Sequence, residues 1–317
     1  MTGGRCRQPR QWALPLWGVL AIATLTGCGR DAPPEARPAI MDSAFLADHA
    51  AWRQQRLASL RAADGWTSLV GLHWLSLKAH YIGSSAGSGI RLAVGPPKLG
   101  MVATEGDAAW FVPERGVALT VDGKPLTGRI RFQSDREPQP TLIGFDEGKG
   151  QLSLIRRGDR LALRVKHADA PARTAFTDVP EWPLDQSWRL QARFVPHAAG
   201  TTLSIVDIVG ITTAQPNPGA LEFERDGKTY RLEAIGEPGR SLFVVFADRT
   251  SGHGSYPAGR FLDVDAPAGN GQVTVDFNRA YNPPCAFTPY ATCPLPPPEN
   301  RIDLAVAAGE KVYKGPH

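Results

Sequence analysis

Apolar residues follow one spacing near the start of the chain and another through most of the rest. Between Met41 and Ala63, Phe45, Leu46, His49, Trp52, Leu57 and Leu60 recur at helical spacing. Asp42 or Ser43 can cap this segment and Asp64-Gly65 can stop it, so residues 41–65 are expected to form a helix lying across a sheet. From Trp66 onward the apolar runs shorten. Leu152–Ile155 and Leu161–Val165 alternate around Arg157-Gly158-Asp159-Arg160, as a hairpin does. Asp122-Gly123 and Asp226-Gly227 are two-residue hairpin signals, because both central positions of the favoured turn need positive φ. Ser241–Ala247 is a continuous apolar run, expected as a buried central strand. The pattern predicts a mainly β protein with an N-terminal helix and two packed antiparallel β blocks, residues 66–150 and 151–317, the second barrel-like. Asp303–Val306 and Val312-Tyr313 are expected at a sheet edge.

One stretch breaks this pattern. Asp276–Arg301 holds seven prolines, three asparagines and two cysteines. Proline fixes φ and removes a donor, so the stretch can be neither helix nor central strand and holds an extended shape at low entropic cost. It is either a strap closing the second block or a segment that presents polar groups to a ligand.

The N-terminus changes the meaning of the charge. Arg5, Arg7 and Arg10 precede the apolar run Trp12–Thr24, which is too short for a comfortable membrane span and ends in Leu25-Thr26-Gly27-Cys28. This looks like a bacterial lipobox, so residues 1–27 are read as an export signal, Cys28 as the lipidated residue and 28–40 as a tether stiffened by Pro33, Pro34 and Pro38. The expected partner is the membrane, through the lipid. The expected address is the cell envelope, on the periplasmic face of the outer membrane, since Gly29 stands where inner-membrane retention signals place Asp. The formal charge is +4, but the signal carries +3 of it, so no basic patch survives processing to suggest nucleic-acid binding.

With Cys6 removed and Cys28 lipidated, Cys285 and Cys293 remain. In an oxidising compartment such a pair reads first as a disulfide; a redox pair or two metal ligands are the alternatives, although the spacing is neither C-x-x-C nor a zinc-ribbon pattern. No phosphate loop, metal-ligand spacing or cofactor motif appears, and no metal or cofactor is expected. Gly83–Gly87 matches G-x-S-x-G at Ser85, but a strand rather than a helix follows, so a nucleophile elbow is not expected. Asp248, Thr250, Tyr256 and Arg260, with Asp276, Asn278, Tyr281, Asn282 and Asn300 of the strap, could converge on one rim and bind a small molecule. In an enzyme reading of the same pocket, Asp276 is the acid–base candidate. The locally structural reading has these groups capping turns, with Arg260 paired to Asp276. The run Arg164–Arg173 carries cations suited to an anion or a carboxylated ligand, or forms a solvated loop.

Two resemblances add to this. The Ile82-Gly83-Ser84 turn, Ile90-Arg91-Leu92 and Lys124-Pro125 loosely resemble a forkhead-associated β-sandwich. Ser84 stands where that family places a phosphate-reading Arg, so the resemblance implies the shape without the phosphopeptide function. Trp66–Leu75, Arg164–Arg173, Asp248–Gly252, Gly259–Leu262 and above all DFN-x-AYNPPCAF-x-P-x-ATCPLPPPEN resemble the family catalogued as domain of unknown function 1684. That resemblance implies that both blocks belong to one unit, and it brings no activity with it.

Overall fold

The computed structural model describes residues 41–317. The export signal, the lipidation site Cys28 and the tether lie outside the described residues. Residues Met41–His317 form one compact unit.

The helix Ser43–Arg61 starts where its cap predicts, with the Asp42 carboxylate accepting from the Ala44 N–H at 2.9 Å. It does not lie on a sheet. Leu57 and Leu60 pack with Phe176, Val179, Ala286, Phe287 and Tyr313, and Arg56 reaches Glu310 at 2.9 Å. The helix therefore docks onto the strap and the C-terminal segment.

The first block is a sandwich of two sheets. One has the strand order Leu69–Trp74, Arg160–His167, Gly150–Arg157, Leu142–Phe145, Thr120–Val121, Lys124–Pro125. The other runs Ile90–Arg91, Ala79–Gly83, Gly100–Glu105, Ala108–Pro113, Ile130–Arg131. Pairing is antiparallel apart from Ile82/Gly83 with Ile90/Arg91. Ile82, Val102 and Phe111 of one sheet and Ile143, Leu152, Leu163 and Val165 of the other form its core. At about 25 cal/mol per Å², burying each such side chain contributes about 1.5–3 kcal/mol.

The hairpin expected to open the second block belongs to this sandwich. Strand Arg160–His167 pairs with Leu69–Trp74 on one side and Gly150–Arg157 on the other. Alternation along a strand fixes which side chains share a face, but not which strand lies alongside. Leu161, Leu163, Val165 and His167 thus share one face of the strand, while Arg160, Ala162, Arg164 and Lys166 share the other. Arg164 lies within a strand, not in a solvated loop.

The second half has a four-stranded sheet, Lys228–Ala234, Gly219–Arg225, Arg189–Pro196, Gln272–Asp276. Two hairpins accompany it, Thr202–Val206 with Thr212–Pro216 and Leu242–Phe246 with Arg260–Val264. Among the described residues no sheet closes on itself, so the barrel-like expectation is corrected to packed open sheets around Leu221, Phe223, Val244, Phe246, Leu262, Val275 and Phe277. The C-terminal segment is not an edge strand: Val306 and Ala308 are fully buried in this core. The two halves meet where Trp66 packs against Val245, Phe261, Ala291 and Cys293, with Phe243, Tyr281 and Cys285 alongside.

Candidate functional site

The polar residues expected to form one rim are braces instead. Arg260 is completely buried. Its guanidinium donates to Asp248 (3.2 Å), to the Val306 carbonyl (2.9 Å) and to the Ala308 carbonyl. The Asp248 carboxylate also accepts from the Thr250 hydroxyl (2.8 Å) and the Val306 N–H (2.8 Å). Burial pushes the Arg260 pKa down and Asp248 opposes that shift. A buried charge persists only when paired and hydrogen-bonded, and this group holds residues 304–310 in place.

Asp276 lies with a different arginine from the one expected. Its carboxylate accepts from Arg189 Nε (2.7 Å) and from the backbone and side-chain amides of Asn278 (3.1 and 2.9 Å). It is nearly buried and occupied by partners, which removes it as a free acid–base group. Asn278 donates to the Asp185 carbonyl at 2.9 Å and accepts from the Asp185 N–H at 3.1 Å. Asn300 clamps Glu233 and Val245 with three bonds of 2.6–2.9 Å. The Asn282 amide reaches the Lys311 carbonyl at 2.7 Å, and the Tyr256 hydroxyl reaches the Cys285 carbonyl at 3.2 Å. The Tyr281 hydroxyl donates to Asp263 at 3.0 Å; burial first, then that carboxylate, push its pKa up, so it stays protonated at neutral pH. Glu310, fully buried between Arg56 (2.9 Å) and the Asn282 N–H (2.7 Å), belongs to the same bracing and carries no motif in the sequence.

A hollow does lie beside the strap, but different residues line it. Trp66, Arg157, Arg164, Phe243, Phe261, Pro284, Ala291, Thr292, Cys293 and Pro294 enclose about 230 Å³ between the outer face of the first sheet and the second half. None of the nine residues expected at a binding rim is in this lining. A second hollow of about 240 Å³ adjoins it, sharing Arg157, Phe243, Thr292 and Pro294 and adding Arg136, Asp207, Thr213 and Gln215. The Cys285–Cys293 disulfide fixes the strap over the first hollow, and Leu295 and Ile208 tie its far end through backbone bonds to Val206 and Cys293 (2.8 and 2.9 Å).

Arg164 distinguishes this cleft. Its guanidinium lies 5.2 Å from the Trp66 ring, its Nε is fully buried, and it has no hydrogen-bond or ion-pair partner among the described residues. Burial, with Arg157 beside it, pulls its pKa down to about 10, so it is still a cation at neutral pH. Arg157 is already engaged, with Asp135 at 2.6 Å and the Thr292 hydroxyl at 2.9 Å. By contrast, the groove of about 540 Å³ along Phe194–Thr202 and Glu237–Gly239 has satisfied polar groups. There His197 and the Asn217 amide both bond Glu233, at 2.7 and 2.9 Å.

The family match bears on the second half. No curated protein matches the chain. Among solved structures it is similar to the solution NMR structure of an uncharacterized protein of Haloarcula marismortui, with 32% identity over 44% of this chain and 78% of that one, and a TM-score of 0.37. Residues 174–311 match the family described as "Protein of unknown function (DUF1684)". The match takes in the strap, the Asp248–Arg260 brace and the strap side of the cleft, and begins after Arg164. Through these residues the chain belongs to the DUF1684 family.

Proposed function

We propose that the chain is an envelope lipoprotein whose folded part binds a small molecule in the cleft beneath the strap. The observation that carries this reading is the unpartnered Arg164 cation in an apolar hollow. Arg164 is half-buried, with Nε enclosed and no hydrogen-bond or ion-pair partner among the described residues, so a ligand in the hollow can take that place. The lining supplies two guanidinium groups and one hydroxyl but no carboxylate or imidazole, which favours binding over acid–base chemistry. A strap pinned by a disulfide is preorganised, so little entropy is lost when a ligand enters. The lipobox ending at Cys28 supports the envelope address.

The test fills the hollow. Ala291 is buried in the lining, and Ala291→Leu puts a larger side chain into the empty space. Ligand-observed NMR with a fragment library is expected to give hits that compete for one site on the natural protein and are lost with Ala291→Leu. Hits that bind both proteins equally contradict the reading.

A further inference from the structure

We propose that the ligand of this cleft is a small monoanion, a carboxylate on an apolar or aromatic body, anchored by Arg164. This rests on the cleft being a binding site, and adds the charge, size and contacts of what enters it.

The charge follows from a count of neighbours. Three arginines line the two adjoining hollows: Arg136, Arg157 and Arg164. One carboxylate pairs with them directly. Asp135 pairs with Arg157 at 2.6 Å, while Asp207 accepts from the Val209 and Ile211 amides of its own loop and Arg136 is exposed to solvent. Among the described residues no carboxylate pairs with Arg164, which stands where the walls are most apolar, while Lys166 over the same Trp66 ring is bonded to the Asp64 carbonyl. A monoanion neutralises Arg164. A dianion such as a phosphate monoester leaves a net negative charge in the same surroundings, which is unfavourable. A planar guanidinium also matches a carboxylate with two parallel hydrogen bonds.

Thr292 supplies a second contact. Its hydroxyl oxygen accepts from Arg157 Nε, and its own proton has no acceptor among the described residues. That proton is available to a carboxylate oxygen, so Arg157 orients Thr292 rather than binding the ligand itself.

The body of the ligand is set by the walls. Trp66, Phe243, Phe261, Pro284, Ala291 and Pro294 offer almost no polar group, and the rings of Phe243 and Phe261 meet edge to face at 4.9 Å. A volume of about 230 Å³ is about eight water-sized groups at roughly 30 Å³ each, the scale of one ring with a short acid arm.

The experiment compares 3-phenylpropionate, its neutral amide and 2-phenylethyl phosphate by calorimetric titration against the natural protein, Arg164→Gln and Arg164→Lys. Arg164 makes no bond whose loss would unfold the chain, so both variants are expected to fold. The carboxylate is expected to bind the natural protein about thirtyfold or more tighter than the amide. Arg164→Gln should bring it down to the level of the amide, and Arg164→Lys should recover part of the difference. Equal binding of carboxylate and amide, unchanged carboxylate affinity in Arg164→Gln, or tighter binding of the phosphate than of the carboxylate overturns the monoanion. In each of these cases loss of all binding with Ala291→Leu leaves the cleft itself standing. If none of the three compounds binds and the fragment hits are insensitive to Ala291→Leu, the cleft reading falls and the monoanion falls with it.

Discussion

Replacing Arg164 by methionine is expected to make the empty protein more stable. Burial pulls the arginine pKa from its ordinary, higher value down to about 10. At about 1.4 kcal/mol per tenfold change in proton affinity, this places the cost of holding the charged group there at roughly 3 kcal/mol. Methionine keeps most of the apolar stem, but it gives up the cation–π contact with Trp66, worth about 0.5–1 kcal/mol. The net expected gain is about 2 kcal/mol. For a folded part of this size the urea slope is near the upper end of about 1–3 kcal/mol/M, so the midpoint should rise by roughly 0.7–1 M. The dependence on pH follows from the direction of the shift. A cation whose folded pKa is depressed costs stability in full below that folded pKa, and the cost fades only as the pH rises from about 10 toward the ordinary arginine value. The gap between variant and natural protein should therefore be flat across the neutral range. The assay is urea unfolding followed by tryptophan fluorescence, on protein refolded from urea to remove bound molecules. A loss of about 1 kcal/mol or more in Arg164→Met would refute the reasoning, because it would mean that the guanidinium is satisfied by the fold.

Arg260→Met should behave in the opposite way: it strands the Asp248 carboxylate in the core and frees the Val306 and Ala308 carbonyls, at a cost of about 3–5 kcal/mol in urea unfolding. A neutral result would show that the brace is dispensable. Reducing the Cys285–Cys293 bond, or replacing both cysteines by serine, should cost about 2–3 kcal/mol for a loop with a sequence separation of 8, read as a lower urea midpoint with reductant than without. Glu233 gives a pH test. Burial alone pushes its carboxyl up, but His197, Asn217 and Arg231 together hold it below its ordinary 4.5. The stability this supplies is present above about 4.5 and lost as pH falls through the lower folded value, so the deficit of Glu233→Gln should be full at neutral pH and close in acid. A deficit that persists in acid would contradict this.

What the sequence made legible was local. Asp122-Gly123 and Asp226-Gly227 both turn hairpins, with φ of 49° and 78° at the first pair and 51° and 72° at the second. The second turn pairs Leu221 with Leu232 and Phe223 with Tyr230. The helix cap at Asp42 was legible for the same reason, since a side chain reaching an amide two residues away needs no tertiary information. Partner choice at a distance was not legible. The hairpin of residues 150–167 alternates in the same way whichever block it joins. Aspartate, asparagine and arginine in a proline-rich strap serve equally as ligand contacts or as braces for buried carbonyls. Only the position of Val306, Ala308 and Asp185 shows that Arg260 and Asn278 are braces. The run Arg164–Arg173 was read as an anion site or as a solvated loop, and Arg164 stands instead within the strand Arg160–His167. Leu161, Leu163 and Val165 alternate into the core, and continuing that alternation places Arg164 on the opposite face, toward the second half.

The most direct measurement is of the terminal guanidinium Nη–Hη resonances of Arg164 in a nitrogen-15 NMR spectrum, assigned by their absence in Arg164→Lys and followed while 3-phenylpropionate is added. The account predicts a large, saturable downfield proton shift at Arg164, no such shift with the neutral amide, and no response with Ala291→Leu. An Arg164 resonance that stays in place while the carboxylate saturates some other part of the protein would contradict it.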